Sequence, residues 1–324
     1  MPYAKSSYIT NTALESVCFD FMSEAKDFVV DSVFTVKPVK KTDMKVYQAD
    51  TSKLRLYNTK SQTDSLAGMI DEQFFTRNLT LNEYKLGKEI NPRIVRDADI
   101  GALFSEARAA KIVTNALLTH REYLGATMAT TTANYASTLS ATLSGATRWD
   151  DAGNPEAHKQ AADTAVQLLS GIKRLNAMVC DIQVIRALKS NAAFVDRTKY
   201  TNGAPVSMDA MKAFFDVDYI FVAGSTYDSA NEGGTRSLAS PWGKDVVFFY
   251  HNPSADLEDV SFGHMYLVKQ PFWTKVYEDP KRNGPAGSMK VLEVGTEYML
   301  DKGYVESSSS DKFAAGFVYK AVIA

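Results

Sequence analysis

The sequence predicts an α+β fold built around one long helix, with a β-rich C-terminal third. The first observation is a run of apolar residues at helical spacing over residues 99–131, which would form a helix about 50 Å long. The second is a stretch after Asn154 in which short helices and strands alternate. The third is a pair of alternating segments, 272–277 and 289–300, that predicts a long β-hairpin.

The bulk composition limits the classes of function. The chain has 324 residues, of which 45% are hydrophobic and 23% charged, as in ordinary folded proteins. A formal net charge of -2 excludes a whole-chain basic field for binding nucleic acid. Cys18 and Cys180 are the two cysteines, and the absence of a C-x-x-C pair favours a reducing compartment. Neither a signal-peptide pattern nor a run of 18 apolar residues is found, so a soluble protein made in a cytoplasm, with no membrane partner, is expected.

The N-terminal quarter of the chain is predicted to be an arm followed by an extended hairpin. Residues 1–38 form the arm, with a short helix over 10–21 that would dock on a larger body. Residues 39–90 form the hairpin, because apolar and polar residues alternate on both sides of a polar stretch. From Lys37 to Lys60 there are seven Lys and Arg residues against two Asp residues. This local charge fits a solvated hairpin, a basic arm that meets an acidic surface of another subunit, or non-specific DNA binding.

Residues 91–138 are predicted to contain the long helix, with Asp99 as its N-cap. Residues 139–255 are predicted to form a compact α/β region, in which a helix begins at Pro155 after an Asn154 N-cap and ends before Gly171. A strand over 177–180, a helix over 181–189, a Ser207-capped helix, and strands over 218–223 and 245–250 follow.

The C-terminal third is predicted to be mostly strand. Residues 256–306 contain the long hairpin, with Asp279–Gly287 as a basic, turn-rich loop at its tip. Asn283-Gly284 is a strong turn signal within that loop. Residues 307–324 would supply a final strand that returns to the α/β region.

The sequence offers no convincing constellation for catalysis. Gly243-Lys244-Asp245 superficially resembles a phosphate loop, but it lacks the glycine five residues earlier and the hydroxyl residue after the lysine. The four histidines stand in four different segments and are predicted to be surface or interface residues: His120, His158, His251 and His264. Asp150 and Asp151 are interpreted as turn and capping residues. No catalytic residue, no metal site and no cofactor is therefore predicted, and the chain is not expected to be an enzyme.

The order of these segments resembles the major capsid proteins of tailed bacteriophages, which have the Hong Kong 97-type capsid fold. The resemblance covers essentially the whole chain and is carried by four segments: Val33-Phe34-Thr-Val36, Asp99–Thr131, Arg148-Trp149-Asp150 with Gly171, and Ser240-Pro-Trp242-Gly243-Lys244.

The resemblance implies a function in assembly. It implies a subunit that forms pentamers and hexamers of an icosahedral head around double-stranded DNA, in a virion capsid assembled in the bacterial cytoplasm. Residues 39–90 would be the E-loop that lies over a neighbouring subunit, 91–138 and 256–306 the peripheral domain, and 139–255 with the last strand the axial domain. Implied partners are further copies of the chain, a portal protein, possible decoration proteins and packaged DNA.

The resemblance also implies which residues meet neighbouring subunits. On the E-loop these are Lys53, Leu54, Arg55, Leu56, Tyr57, Lys60, Phe74 and Phe75; at the peripheral loop tip they are Asp279, Lys281, Arg282 and Asn283. An extended hairpin has too little core to be stable alone, so its apolar residues need a neighbour to bury against. Some family members crosslink chains through Lys and Asn; Asn283 with Lys53 or Lys60 is the pairing to consider, although a plain turn at Asn283 is simpler.

Some relatives carry an N-terminal scaffolding segment that is later cleaved. Because this sequence reaches the arm almost at once, a separate scaffolding protein is expected.

Three other functions remain open: an encapsulin-like compartment housing an enzyme, an enzyme with an α/β core and no linear motif, and a tail or baseplate protein. Genome neighbourhood and electron microscopy of the expressed chain would discriminate between them.

Overall fold

The protein is described by a computed structural model that covers most of the chain. The structure describes residues 9–10, 12–24, 27–49, 74–90, 106–198, 207–231, 233–254, 260–268, 272–284, 287–307 and 310–324. All structural statements refer to these residues.

Seven α-helices lie within the described ranges. In chain order they are α1 (Thr12–Glu24), α2 (Val30–Val33), α3 (Glu106–Thr130), α4 (Pro155–Ser170), α5 (Ile182–Ser190), α6 (Ala192–Thr198) and α7 (Met208–Phe215). Three 3-10 turns, at Thr132–Asn134, Ser137–Leu139 and Gly145–Thr147, follow α3.

The described strands are short except for one long hairpin. They are β1 (Ile9–Thr10), β2 (Thr35–Val39), β3 (Asp43–Ala49), β4 (Phe74–Thr80), β5 (Asn82–Ile90), β6 (Ser140–Thr142), β7 (Ala177–Asp181), β8 (Tyr219–Ala223), β9 (Tyr227–Asp228), β10 (Leu238–Ala239), β11 (Val246–Phe249), β12 (Gly263–Val268), β13 (Trp273–Gly284), β14 (Gly287–Lys302), β15 (Val305–Ser307), β16 (Ser310–Phe313) and β17 (Gly316–Lys320).

Several helix boundaries follow from capping side chains. The Asn154 Oδ1 atom accepts hydrogen bonds from the N–H groups of Glu156 and Ala157 at the start of α4. Gly171 ends α4 with φ of 73°, a left-handed conformation that glycine adopts without steric cost. Asp181 caps α5 and Ser207 caps α7 in the same way, by accepting backbone N–H groups. The predicted caps at Asn154 and Ser207 are thus present.

Two sheets organise the body of the subunit. The first has the order β1-β13-β14-β12-β2, with β5 paired to β14. The second has the order β6-β17-β11-β7-β8, and all four residues of β11 are buried at its centre. The last strand, β17, joins this second sheet through antiparallel pairing with β11 and parallel pairing with β6.

The long helix α3 contacts both sheets. Its 25 residues span about 37 Å, and residues 99–105 of the predicted helix lie outside the described ranges. Near its N-terminal end, Val113 and Leu117 pack in a core with Leu14 and Cys18 of α1. Toward its C-terminal end, Ala126 and Ala129 enter the larger core, which also includes residues of the second sheet. The apolar face of α3 therefore joins the arm helix and both sheets into one body.

The structure corrects the prediction of a loop over residues 279–287 at the tip of the long hairpin. Residues 279–284, expected in a turn-rich loop, continue strand β13, and the pairing runs through Asp279 with Met289 to Gly284 with Gly287. The register shifts between those two pairs. Turn-forming residues such as Pro280 are compatible with a strand when the ladder is irregular there. The paired part of the hairpin is therefore longer than the sequence predicted.

Candidate assembly surfaces and the junction that positions them

The structure describes only part of the predicted E-loop surface. Lys53, Leu54, Arg55, Leu56, Tyr57 and Lys60 lie outside the described residues. The backbone of Phe74 and Phe75 begins β4 and pairs with Ala49 and Gln48, while their side chains are not described. Asp279, Lys281, Arg282 and Asn283 lie on β13 near its end, and their side chains are likewise outside the description. The contacts predicted for these residues therefore remain predictions.

The base of the extended hairpin β3–β4 docks on the first sheet through an apolar cluster. Val46, Leu79 and Leu81 are buried there against Tyr266 of β12. The N–H of Leu81 donates to the carbonyl oxygen of Thr42 at 2.9 Å and closes the base. One face of the hairpin is therefore buried within its own subunit.

An ion pair lies beside this cluster. Arg77 Nη1 on β4 donates to Asp301 Oδ1 on β14 at 2.7 Å, and Nη2 donates to the Gly303 carbonyl oxygen at 3.4 Å. The Arg77 and Asp301 side chains are 15% and 6% exposed. Burial raises the pKa of Asp301 to about 6, against the opposing effect of the Arg77 charge. The pair connects the hairpin to the body at a site largely withdrawn from water.

A buried glutamate on α3 holds three distant segments together. The Glu122 carboxylate accepts the N–H groups of Val29 and Val30 at 3.0–3.2 Å, and its Oε1 atom accepts Trp242 Nε1–H at 2.6 Å. Glu122 is 1% exposed, and burial raises the pKa of its carboxyl group. The N–H groups at the start of α2 have no partner within that helix, so the carboxylate satisfies them. Sequence reasoning missed this residue because its partners lie 92 and 120 positions away.

The neighbouring residue Arg121 strengthens the same junction. Its Nη2 atom lies 2.6 Å from Asp31 Oδ2, and its guanidinium carbon lies 5.9 Å from the centre of the Tyr298 ring. The Arg121 side chain is 4% exposed. Adjacent residues of α3 therefore both bind the first turn of α2, the helix that leads into β2.

We expect Gly125→Ala to destabilise the subunit although alanine is the better helix former. A Cβ at Gly125 would stand 2.5 Å from Val30 Cγ2. Overpacking of this kind costs about 1–3 kcal/mol, against a gain of roughly 1 kcal/mol in helix propensity. Urea unfolding should show a net loss of about 1–2 kcal/mol. Combining Gly125→Ala with Val30→Ala should lose less than the sum of the two single changes; strict additivity would contradict the proposed contact.

The histidine prediction is wrong for one of the four residues. His264 is 1% exposed on β12, and burial together with the charges of Lys37 and Arg77 lowers its pKa to about 4. It pairs directly with Asp301 of β14, so the two side chains share one face of the sheet. His158 accepts the Trp149 Nε1–H at 2.9 Å and so serves the core. His120 is exposed and His251 is half-buried.

The described residues show no grouping of three His, Cys, Asp or Glu side chains that could hold a metal ion. Among them, no helix has the length and apolar character needed to cross a membrane.

Several large apolar side chains are exposed on the described surface. Those most exposed are Leu168, Leu238, Tyr47, Leu86 and Ile112. Leu168 on α4 is 84% exposed, whereas Ala162 and Val166 on the other face of the helix are fully buried. Tyr47 projects from the extended hairpin and Leu86 from β5, so the exposed apolar residues are spread over several elements.

Comparison with known proteins supplies the family context. No family model matches the chain. The major capsid protein of Burkholderia phage BcepMu is 24% identical over 226 residues, which cover 69% of this chain and 71% of that protein.

Solved structures decide the fold. A phage-related protein from Bordetella bronchiseptica superimposes with a TM-score of 0.70 at 21% identity, covering 98% of this chain and 99% of the other. The capsid of cyanophage P-SCSP1u gives a TM-score of 0.54 at 9% identity over 91% and 88% of the two chains. A structure from Mycobacterium phage Bobi gives 0.55 at 13% identity over 91% and 90%. The chain has the Hong Kong 97-type phage capsid fold. The α+β capsid fold predicted from the sequence is confirmed, as is the resemblance to phage major capsid proteins.

Within this capsid fold, the segments that carried the resemblance are largely core elements. Phe34, Trp149 and Trp242 are each at most 1% exposed. The Asp150 carboxylate accepts the Ala324 N–H at 2.7 Å, and Asp150 lies in a turn, as the sequence predicted. The resemblance therefore rested on residues that build the fold, and none of the predicted contact residues is among them.

Proposed function

We propose that this chain is a major capsid protein, which assembles with copies of itself into the pentamers and hexamers of an icosahedral phage head around double-stranded DNA. The observation that carries the proposal is the sequence similarity to a phage major capsid protein over 226 residues, joined to a capsid fold that covers nearly the whole chain. Its role would be structural, as a component of the virion capsid.

The physical properties of the subunit support assembly by many modest contacts. Within the described residues, β3 and β4 form a two-stranded sheet, and such a hairpin buries too little apolar surface to be stable by itself. Each apolar side chain that a neighbour covers contributes about 25 cal/mol per Å2 of buried area. Repetition of such contacts around a closed lattice gives a stable shell although each contact is weak.

The domain division and the partners beyond the chain itself are part of the proposal. Residues 1–38 would be the arm, 39–90 the E-loop, 91–138 and 256–306 the peripheral domain, and 139–255 with 307–324 the axial domain. A separate scaffolding protein, a portal protein, decoration proteins and DNA would be met during head assembly in the host cytoplasm. The peripheral tip residues and the E-loop residues named from the sequence would form contacts between subunits.

Expression of the full chain followed by negative-stain electron microscopy tests the proposal. Shells, or rings of five and six subunits, are expected. A well-behaved small oligomer that never assembles, with or without co-expressed scaffolding protein, would contradict it.

Substitution of the most exposed leucine gives a sharper test. Leu168→Glu should leave the folded subunit intact, because the side chain is already 84% exposed, but should reduce shell yield at least tenfold if a neighbouring subunit covers it. Gln167→Glu adds the same charge at the adjacent exposed position of α4 and should change the yield little. Equal shell yields for the two variants would show that no neighbouring subunit covers this part of α4. Circular dichroism and the unfolding midpoint would confirm that both variants remain folded.

A further inference from the structure

The extended hairpin is attached to the body mainly by side chains. Within the described part of the chain, β3 and β4 form a two-stranded sheet of their own, separate from the sheet that contains β2 and β5. The chain leaves that sheet after Val39 and re-enters it at Asn82. Residues 40–42 and Leu81 are therefore the backbone joints between hairpin and body.

One face of the hairpin makes the side-chain attachment. Val46 is directly opposite Arg77, and Met44 is opposite Leu79, so these four side chains lie on the same face. Val46 and Leu79 are buried against Tyr266, and Arg77 reaches Asp301. The other face is open, as the 49% exposure of Tyr47 shows.

The polar part of this attachment is incompletely satisfied. Within the described residues, the buried Arg77 Nε and Asp301 Oδ2 atoms have no hydrogen-bond partner. A cavity of about 500 Å3 opens beside them and is lined by Arg77, Asp301, Lys302 and Asp311, among others. Burial of an ion pair carries a desolvation cost that the attraction between the two charges offsets only in part. The docked position of the hairpin is therefore held by an ion pair that also carries a desolvation cost, in line with the raised pKa of Asp301.

We propose that Arg77 and Asp301 form a releasable latch that sets the direction in which the extended hairpin leaves the subunit. With the pair closed, the hairpin lies against β12 and β14; with the pair open, the hairpin turns about residues 40–42 and Leu81. Arg77 is a positioning residue that presents the contact surface to a neighbour. The use of this latch in assembly rests on the proposed capsid function, whereas its existence does not.

Thiol labelling of the unassembled full chain measures directly how often the hairpin β3–β4 separates from β12 and β14. The thiol introduced by Val46→Cys stands on the docked face, at a position only 2% exposed, and reacts only when the hairpin lifts. Adding Arg77→Met, which leaves the buried Asp301 carboxylate without its charged partner, should raise its labelling rate at least tenfold at neutral pH. Asp218→Asn removes one carboxylate from the exposed pair with Arg174 and should leave the rate unchanged.

Internal controls separate release of the hairpin from general unfolding. The native thiols of Cys18 and Cys180 are fully buried in two different cores and should stay unreactive in every variant. The thiol introduced by Tyr47→Cys on the open face should label at one rate throughout. Asp301→Asn should raise labelling at position 46 less than Arg77→Met, because it breaks the ion pair without leaving a buried carboxylate unpaired. Adding Asp301→Asn to Arg77→Met should lower the labelling rate again, because the two residues act as one pair.

Two results would overturn the latch. One is equal labelling at position 46 with and without Arg77→Met. The other is labelling of Cys180 that rises in parallel, which would mean that the whole subunit unfolds. Because labelling is measured below the concentration needed for assembly, failure of the latch is distinct from failure to form shells.

Discussion

Replacement of Glu122 by alanine is expected to lower the free energy of unfolding by about 3–5 kcal/mol and to prevent shell formation. The change removes an acceptor from three buried donors, the N–H groups of Val29 and Val30 and the Trp242 indole N–H. Each donor left without a partner costs about 1–3 kcal/mol. The loss falls at the point where α2, α3 and the segment before β11 meet, so the arm and both sheets would lose their common attachment.

Urea unfolding followed by tryptophan fluorescence would measure the effect of Glu122→Ala, and electron microscopy would report on shells. Glu122→Gln keeps one carbonyl acceptor and should lose less than Glu122→Ala. Lys111→Ala, on the exposed side of the same helix, should stay within about 0.5 kcal/mol of the parent. A loss below about 1 kcal/mol for Glu122→Ala would show that the three donors find other partners, and the assigned role of Glu122 would be wrong.

The second large effect concerns how the stability of the folded chain depends on pH. His264 on β12 and Asp301 on β14 are paired across the two strands, and we expect their contributions to stability to change with pH in opposite directions. His264 has a pKa lowered to about 4 from an ordinary 6.5. Its folded form therefore binds fewer protons than the unfolded chain, so its contribution to stability is present above pH 6.5 and is lost as the pH falls toward 4. Asp301 has a pKa raised to about 6 from an ordinary 3.8. Its folded form binds more protons, so stability increases as the pH falls through 6.

Each contribution amounts to about 2–3 kcal/mol between pH 7 and pH 4, at 1.36 kcal/mol per pKa unit. In the parent chain the two therefore largely offset each other. Over the same interval, His264→Asn should become more stable relative to the parent, whereas Asp301→Asn should become less stable relative to it. Unfolding curves at half-unit steps of pH would show the two trends. General destabilisation would move both variants in one direction, and flat differences would contradict the burial argument for both groups.

The sequence predicted those elements whose signals are local. The Asn154 and Ser207 caps, the glycine end of α4 and most of α3 depend on residues within one or two turns of each other, and all are present. The general order of arm, long helix, α/β region and β-hairpin was also accessible, because hydrophobic spacing and turn residues mark it. The extent of the hairpin was not, since Pro280 and the Asn283-Gly284 pair indicate a turn more strongly than an irregular strand.

The burial and pairing of particular charged side chains depend on residues that are distant along the chain, and the sequence did not predict them. In the sequence, Glu122 looks like an ordinary helix residue, and only the fold places Val29, Val30 and Trp242 around its carboxylate. Arg77 is likewise one of many basic residues in the sequence, and only the fold places Asp301 of β14 beside it. His264 was expected at a surface because a single histidine in a strand gives no sign of what covers it. The sequence by itself determined the class of fold and its order of elements, whose signals are local. Only the tertiary structure decided which charged groups are buried and paired, because burial depends on residues that are distant along the chain.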